Sequence, residues 1–453
     1  MKKILALVLA LLVALSMTAA FATSADMGGE NGVIGEFNTP DTPTTQGKTI
    51  TIYKEITAYN PETCEVNAPT ITYSYAITAG DAGKKITDAS SHHNKIGEAD
   101  VNASVTTKAG VGTPVITGTT ASNSTTGNSA LNITPADQLN ASVNGTANRF
   151  AIAIDFSGIN YTTAGTGAGV YRYVITETCA EATKIAAGIA EGSVANALYL
   201  DVYVDGTGAI YGYVLFTNDV EINASPDADS TAATAAGKTE GFVGDKPDDG
   251  VYTEDNSTAD KYYTFNFELK KVVVNDAYAS STKHQFPFTV TLTNNTVTAN
   301  VLPIMTVGTD ATQTALTAGA IAGTWNPTIA DGATINYVGI PCGTTVTVQE
   351  KNDVTGVSYN SVSTNADTDA AAKTINTNED SNIATINCGA TALTKATENH
   401  TSGGKGILTF TNTLLQISPT GVVLRVAPYI AMLVAGLALL IVARKRRSSK
   451  NED

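Results

Sequence analysis

Thr49-Ile50-Thr51-Ile52-Tyr53-Lys54-Glu55-Ile56-Thr57 is the stretch on which the fold class turns. Its apolar residues recur at every second position, and a β-strand sends successive side chains to opposite faces. Ile50, Ile52, Lys54 and Ile56 therefore share the core face, with Thr49, Thr51, Tyr53, Glu55 and Thr57 opposite, so Lys54 points into the core. The run Phe265-Asn266-Phe267-Glu268-Leu269-Lys270-Lys271-Val272-Val273 repeats the arrangement. Phe265, Phe267, Leu269, Lys271 and Val273 take one face, so of the two adjacent lysines Lys271 goes in and Lys270 goes out.

The same parity picks out partners. Tyr171, Tyr173, Ile175 and Glu177 align, as do Val346, Val348 and Glu350, so each half of the chain aims a carboxyl inward. Val214, Phe216, Asn218 and Val220 align, and so do Leu408, Phe410, Asn412 and Leu414, so each half also aims an asparagine inward. A strand lysine taken alone is ordinarily a solvated edge residue. Buried and unpaired, Lys, Glu and Asn are each costly, and the same trio occurs in the same order twice. In an apolar core the ammonium pKa falls and the carboxylic acid pKa rises, so a neutral amine faces an amide carbonyl polarised by a protonated Glu. Nζ then attacks the Asn carbonyl, Glu carries the protons and ammonia leaves, giving a Lys–Asn isopeptide bond made once without turnover. The competing reading is a Lys–Glu salt bridge with no covalent step.

Ile52-Tyr53-Lys54-Glu55-Ile56-Thr57, Tyr173-Val174-Ile175-Thr176-Glu177, Tyr199-Leu200-Asp201-Val202-Tyr203-Val204 and Phe216-Thr217-Asn218 together resemble the streptococcal-type pilin isopeptide-linkage domain. Val346-Thr347-Val348-Gln349-Glu350 and Phe410-Thr411-Asn412 resemble the same elements of a CnaB-type domain. The resemblance implies an all-β chain of two immunoglobulin-like β-sandwiches in tandem, with Lys on the first strand, Asn on the last and Glu between. It assigns the isopeptide pairs Lys54–Asn218 and Lys271–Asn412 and the catalytic acids Glu177 and Glu350. A Tyr-Pro-Lys-Asn pilin motif is missing, so the lysine that would join subunits is not identified; Lys246 in Asp245-Lys246-Pro247 is a weak candidate.

The two ends address the chain. Lys2 and Lys3, an apolar run from Ile4 to Val13 and the small residues up to Ala22 form a secretory signal peptide over residues 1–22. Val426 to Ala443 is 443 − 426 + 1 = 18 residues without a charge, the lower limit for a transmembrane helix, and Arg444, Lys445, Arg446 and Arg447 open a basic cytoplasmic tail, 444–453. Immediately before lies Ile417-Ser418-Pro419-Thr420-Gly421, which resembles a sortase sorting signal. That resemblance implies cleavage between Thr420 and Gly421 and transfer of the Thr carboxyl to a cell-wall or pilin amine. Ser418 stands where the usual pattern has Pro, which leaves the sortase class open. A plain C-terminal membrane anchor is the alternative.

Composition fits this address. Only 15% of residues are charged, and the chain is rich in Thr, Ala, Asn and Gly, as extracellular sandwiches are. The formal net charge of −15 disfavours nucleic acid as a partner, because phosphate needs a basic surface. Breaks in composition divide the chain into a first sandwich at 48–223, a linker at 224–260 rich in Ala, Asp, Gly and Ser, and a second sandwich at 261–415. Thr106 to Thr146, poor in large apolar residues, reads as a long loop or loosely held insertion, and Glu181 to Ala197 as a short surface helix.

Cys64, Cys179, Cys342 and Cys388 show no metal-site spacing. Export permits bridges Cys64–Cys179 and Cys342–Cys388, with buried free thiols as the alternative. His92, His93, His284 and His400 form no metal or catalytic set, and no cofactor-binding loop is evident. The expectation is a pilin-like or stalk-forming protein of the cell wall of a Gram-positive bacterium, with sortase and either peptidoglycan or other pilin subunits as partners. A monomeric wall-anchored adhesin for a host or matrix ligand is the second reading, and a surface enzyme lacks a convergent catalytic set.

Overall fold

The computed structural model describes residues 25–27, 32–35, 45–83, 85–86, 105–118, 128–162, 167–219, 237–244, 257–274, 285–294, 297, 304–307, 313–315, 324–351, 361–367, 374–377, 383–387, 406–413 and 419–448. Strands dominate, as the period of two predicts. A 12-stranded sheet runs through both halves of the chain, and an 8-stranded sheet and a 6-stranded sheet complete the two cores.

In the first half, Ile50, Ile52 and Ile56 of the Thr49–Tyr59 strand are fully buried. They share one core with Tyr73, Tyr75, Ile77, Tyr173 and Ile175 of the 8-stranded sheet. Burying each large apolar side chain contributes about 1.5–3 kcal/mol, so a slip by one residue would lose several such terms together. In the second half, Phe265, Phe267 and Leu269 pack with Phe286, Phe288, Val346, Val348, Leu408 and Phe410.

A single strand feeds both cores. Asp260–Val274 is 15 residues long. Its residues Asp260 to Tyr263 pair in parallel with Ile56 to Tyr59. Farther along it pairs antiparallel with Thr334–Pro341 and in parallel with Gly406–Thr413. Its alternation divides the cores between its faces: Tyr262 lies in the first, while Tyr263, Phe265 and Phe267 lie in the second.

Three expectations of the sequence are corrected here. The segment 224–260 is not simply a linker, because Gly241–Phe242 pairs in parallel with Tyr53 and Lys54, Phe242 is buried, and Asp260 opens the shared strand. The boundary at 260/261 therefore falls inside a strand. The presumed insertion at 106–146 contributes strands at Val105–Ala109, Val115–Gly118, Asn128–Ile133 and Gln138–Ala141. Ile116, Leu131, Ile133 and Leu139 are fully buried while Val115 is exposed, which suffices for strands that cover only one face. The helix expected over 181–197 is only Glu181–Ala186. Gly188 ends it at φ 77°, a left-handed conformation open to glycine, and Ile189–Ala190 then pairs with Tyr262 and Lys261.

At the C-terminus, Pro419–Ser448 is a 30-residue helix. Its side chains Tyr429, Leu433, Leu437, Leu440 and Ile441 are exposed. Among the described residues no helix is long and apolar enough to cross a membrane, so the membrane-spanning segment expected at 426–443 is not supported. Residues 1–22, Ile417 and Ser418 lie outside the described residues.

Candidate functional site

The second-half site lies between two sheets. Lys271, with no exposed surface, comes from the shared strand, Asn412 from the neighbouring Gly406–Thr413 strand, and Glu350 from Thr345–Glu350 in the 6-stranded sheet. Lys271 Nζ donates to Glu350 Oε2 at 3.0 Å, and Asn412 Nδ2 donates to Glu350 Oε1 at 2.6 Å. Glu350 thus bridges the amine and the amide. Nζ also lies 4.5 Å from the centroid of the Phe286 ring. Burial pulls the Lys271 ammonium down to about 8, although the Glu350 charge and its hydrogen bond resist the shift. Asn412 Oδ1 is buried and has no hydrogen-bond partner among the described residues. A Lys amine, an amide carbonyl and a carboxyl in one dry pocket are the nucleophile, the electrophile and the proton carrier of an amide exchange.

The first-half site departs from expectation. Lys54, 2% exposed, donates to Glu177 Oε1 at 2.8 Å, but its second partner is Asp260 Oδ2 at 2.9 Å. Asn218 is exposed, two residues past the end of Ile210–Phe216, and the assignment of Asn218 as the partner of Lys54 is corrected on that ground. Val214 and Phe216, which share its parity, pack in a separate cluster with Val33, Val170, Tyr203 and Tyr211. Tyr213 and Leu215 face the Lys54 core instead. Both parities of that strand are buried, so alternation gave no means of choosing between them.

Asp260 is the residue missed. Its spacing to Tyr262 places it on an inward parity, but at the end of a polar segment it reads as the tail of a linker. Oδ2 accepts hydrogen bonds from Lys54 and from the Tyr73 hydroxyl at 2.9 Å. Oδ1 accepts from Lys184 Nζ at 3.1 Å and from the Gly192 N–H at 2.9 Å. Burial alone would raise the Asp260 pKa, but Lys54, the Gly192 N–H and Lys184 outweigh it and hold the carboxyl below its ordinary value. For Lys184 burial works downward, and Asp260 and Glu191 raise it above the usual lysine range. Tyr75 donates to Glu177 Oε2 at 2.8 Å. Burial first, then the nearby carboxylates, push Tyr73 and Tyr75 well up, so both remain donors.

Cys64 and Cys179 are free thiols, so the bridge between them is not formed. Burial pushes the Cys64 thiol up to about 11. Cys342 is buried, and Cys388 lies outside the described residues, as do all four histidines and Lys246. Among the described residues no group of three His, Cys, Asp or Glu side chains is placed to hold a metal ion.

The sequence profile of a domain of unknown function (DUF7601) matches residues 265–388. No curated protein matches the chain. Among solved structures, the chain is similar to a major pilin of Streptococcus pyogenes at 17% identity, over 82% of this chain and 99% of that one, with a TM-score of 0.33. A second Streptococcus pyogenes major pilin, T-13, is similar at 15% identity over 85% and 99%, with a TM-score of 0.31. An adhesin of Mobiluncus mulieris containing intramolecular disulfide, isopeptide and ester bond cross-links is similar at 12% identity over 81% and 99%, with a TM-score of 0.23.

Proposed function

We propose that the chain is a structural protein of the bacterial surface, a pilin-like or stalk subunit of two immunoglobulin-like, CnaB-type sandwiches closed by internal isopeptide bonds. The observation that carries this reading is the buried Lys271–Glu350–Asn412 set, in which one carboxyl touches both the amine and the amide that would be joined. Nζ attacks Cγ of Asn412, Glu350 passes the proton to Nδ2, the C–N bond breaks and ammonia leaves. The reaction runs once and leaves no enzyme behind. Tying first strand to last places a covalent bond where a pull would otherwise unzip parallel strands.

The sorting-signal resemblance at 417–421 supplies the attachment: sortase cuts between Thr420 and Gly421 and joins Thr420 to peptidoglycan or to another subunit. The test is peptide mapping of the purified chain by mass spectrometry. A Lys271 peptide joined to an Asn412 peptide and lighter than their sum by about 17 Da is expected; two separate peptides of unmodified mass would remove the reading. A blot of wall extract in hot detergent then separates a polymer, seen as a ladder, from a monomeric adhesin, seen as one band.

A further inference from the structure

We propose that Lys54 is joined to Asp260 by a condensation that expels water, and that Lys184 and the Gly192 N–H hold the oxyanion that forms on the way. The inference rests on the cross-linking reading above and deepens it for the first half of the chain.

The two sites coincide in register. In the parallel pairing of the second half, Asn412 lies opposite Val273, two residues beyond Lys271. In that of the first half, Asp260 lies opposite Ile56, two residues beyond Lys54. Glu350 pairs across its strands with Phe288, and Lys271 sits over the ring of Phe286. Glu177 pairs with Tyr75, and Lys54 sits 4.4 Å from the ring centroid of Tyr73. Lysine, acid, ring and electrophile occupy matching positions in both halves, and the position of the Asn412 amide is taken by the Asp260 carboxyl.

The contacts of Asp260 divide the work between its oxygens. Oδ2 faces Lys54 and the Tyr73 hydroxyl, whereas Oδ1 faces the Lys184 ammonium and the Gly192 N–H. One proton passes from the Lys54 ammonium to Oδ2, giving a neutral amine beside a carboxylic acid. Nζ attacks Cγ, and the charge that develops on Oδ1 meets two donors already in place. Glu177 takes the second proton from Nζ and returns it to Oδ2. The Cγ–Oδ2 bond breaks, water leaves, and Oδ1 becomes the carbonyl oxygen of the new amide. An ammonium and a carboxylate thus become an amide and one water, with charge and atoms balanced. Gly192 has a steric reason to be glycine, because a Cβ there would collide with the backbone of Thr258 and Ala259.

The consequence is mechanical. Asp260 and Lys271 sit on one strand, 271 − 260 = 11 residues apart, so both cross-links enter the same segment. A pull passing from Lys54 to Asn412 crosses only that stretch of backbone.

Peptide mapping of the purified full chain tests the proposal. A Lys54 peptide joined to the Asp260 peptide and lighter than their sum by about 18 Da is expected, against about 17 Da for the second-half link. Asp260→Asn should keep the link but lose about 17 Da, and Lys54→Arg should abolish it. In pulse–chase, Lys184→Met should slow the first link by about tenfold or more, Lys184→Arg should restore much of the rate, and the second link should form normally in both. That second link also reports that the variant has folded. Separate Lys54 and Asp260 peptides beside an intact Lys271–Asn412 link would overturn this inference and spare the cross-linking reading, while loss of both links would overturn both. Lys54 joined to Asn218, Asp260 joined to Lys184, or an unchanged rate in Lys184→Met would each overturn the assignment made here.

Discussion

The two lysines sit over aromatic rings in matching registers, yet one pocket is lined by Phe286 and Phe288 and the other by Tyr73 and Tyr75. In the second half burial pulls Lys271 down to about 8. Asn412 Oδ1 is left without a partner among the described residues. In the first half two ammonium groups and three carboxyls, those of Asp260, Glu177 and Glu191, form an ionic cluster in which both oxygens of Asp260 and both of Glu177 are hydrogen-bonded. Each environment suits its leaving group. In the proposed reactions an amide nitrogen would leave after accepting a proton from Glu350, which already touches it, whereas a carboxyl oxygen would need further donors and an opposing cation. The second pocket stores its drive in desolvation; the first stabilises charge and must move it.

The largest effect should come from removing the acid that bridges the second site. Glu350→Ala prevents the link and leaves the Lys271 charge in a dry core, so its loss should exceed that of the bond alone; an unpaired buried charge by itself costs about 3–5 kcal/mol. Thermal unfolding and a regained mass of one ammonia are the readouts. Glu177→Ala should unlink the first half independently, because no residue is shared between the two pockets. A Glu350→Ala chain that still loses ammonia would discard Glu350 as the proton carrier.

Next in size is Asn412→Ala, which removes the bond but keeps the Lys271–Glu350 ion pair. The bond closes a loop of 412 − 271 = 141 residues, and by analogy with disulfides its entropic stabilisation is about 5 kcal/mol. Denaturant unfolding with the first link intact should show a loss of that order, and a loss under about 1 kcal/mol would mean that no bond had been present.

A pH dependence sharpens the comparison. In Asn412→Ala, Lys271 keeps a titratable amine, with a pKa of about 8 when folded against the ordinary 10.5. The unfolded chain then binds more protons between these values, so stability rises with pH across that window. The penalty is full below about 8 and relieved above 10.5. A gap of that size corresponds to about 3 kcal/mol. Urea unfolding of Asn412→Ala should show the rise, and Lys271→Met/Asn412→Ala should lack it. Equal slopes in the two variants would refute the desolvated-amine account.

Alternation made much of this legible. Lys54, Glu177, Lys271, Glu350 and Asn412 are inward because each shares its parity with apolar neighbours while the opposite face is mostly polar, a contrast that holds even along Thr49–Tyr59, where both faces are buried. Asn218 failed for the converse reason: the Ile210–Phe216 strand carries apolar side chains on both buried faces, so its parity carries no direction. Asp260 was hidden because composition divides a chain by its polar stretches, whereas the strand it opens serves two cores at once. The Thr-rich region at 106–146 misled similarly, since four well-spaced residues, Ile116, Leu131, Ile133 and Leu139, carry its burial.

The smallest effects test the hydroxyls that distinguish the pockets. Tyr73→Phe keeps the ring beneath Lys54 and removes one donor from Asp260 Oδ2, making the first site resemble the second in that contact alone. The fold should survive, because one hydrogen bond to a charged group contributes only about 1.5–3 kcal/mol net. The Lys54–Asp260 link should form several-fold more slowly in pulse–chase, since the departing oxygen loses one of its two donors. Phe286→Tyr in the second pocket should not speed that link, because Glu350 already bonds the leaving nitrogen. Lys270→Ala, on the outward side of the same strand, should change neither link and shift stability by less than about 0.5 kcal/mol, which makes it the matched control for Lys271. A Tyr73→Phe chain that links at the native rate would show that the hydroxyl only fills a hydrogen bond, and the contrast between the pockets would then reduce to the identity of their electrophiles.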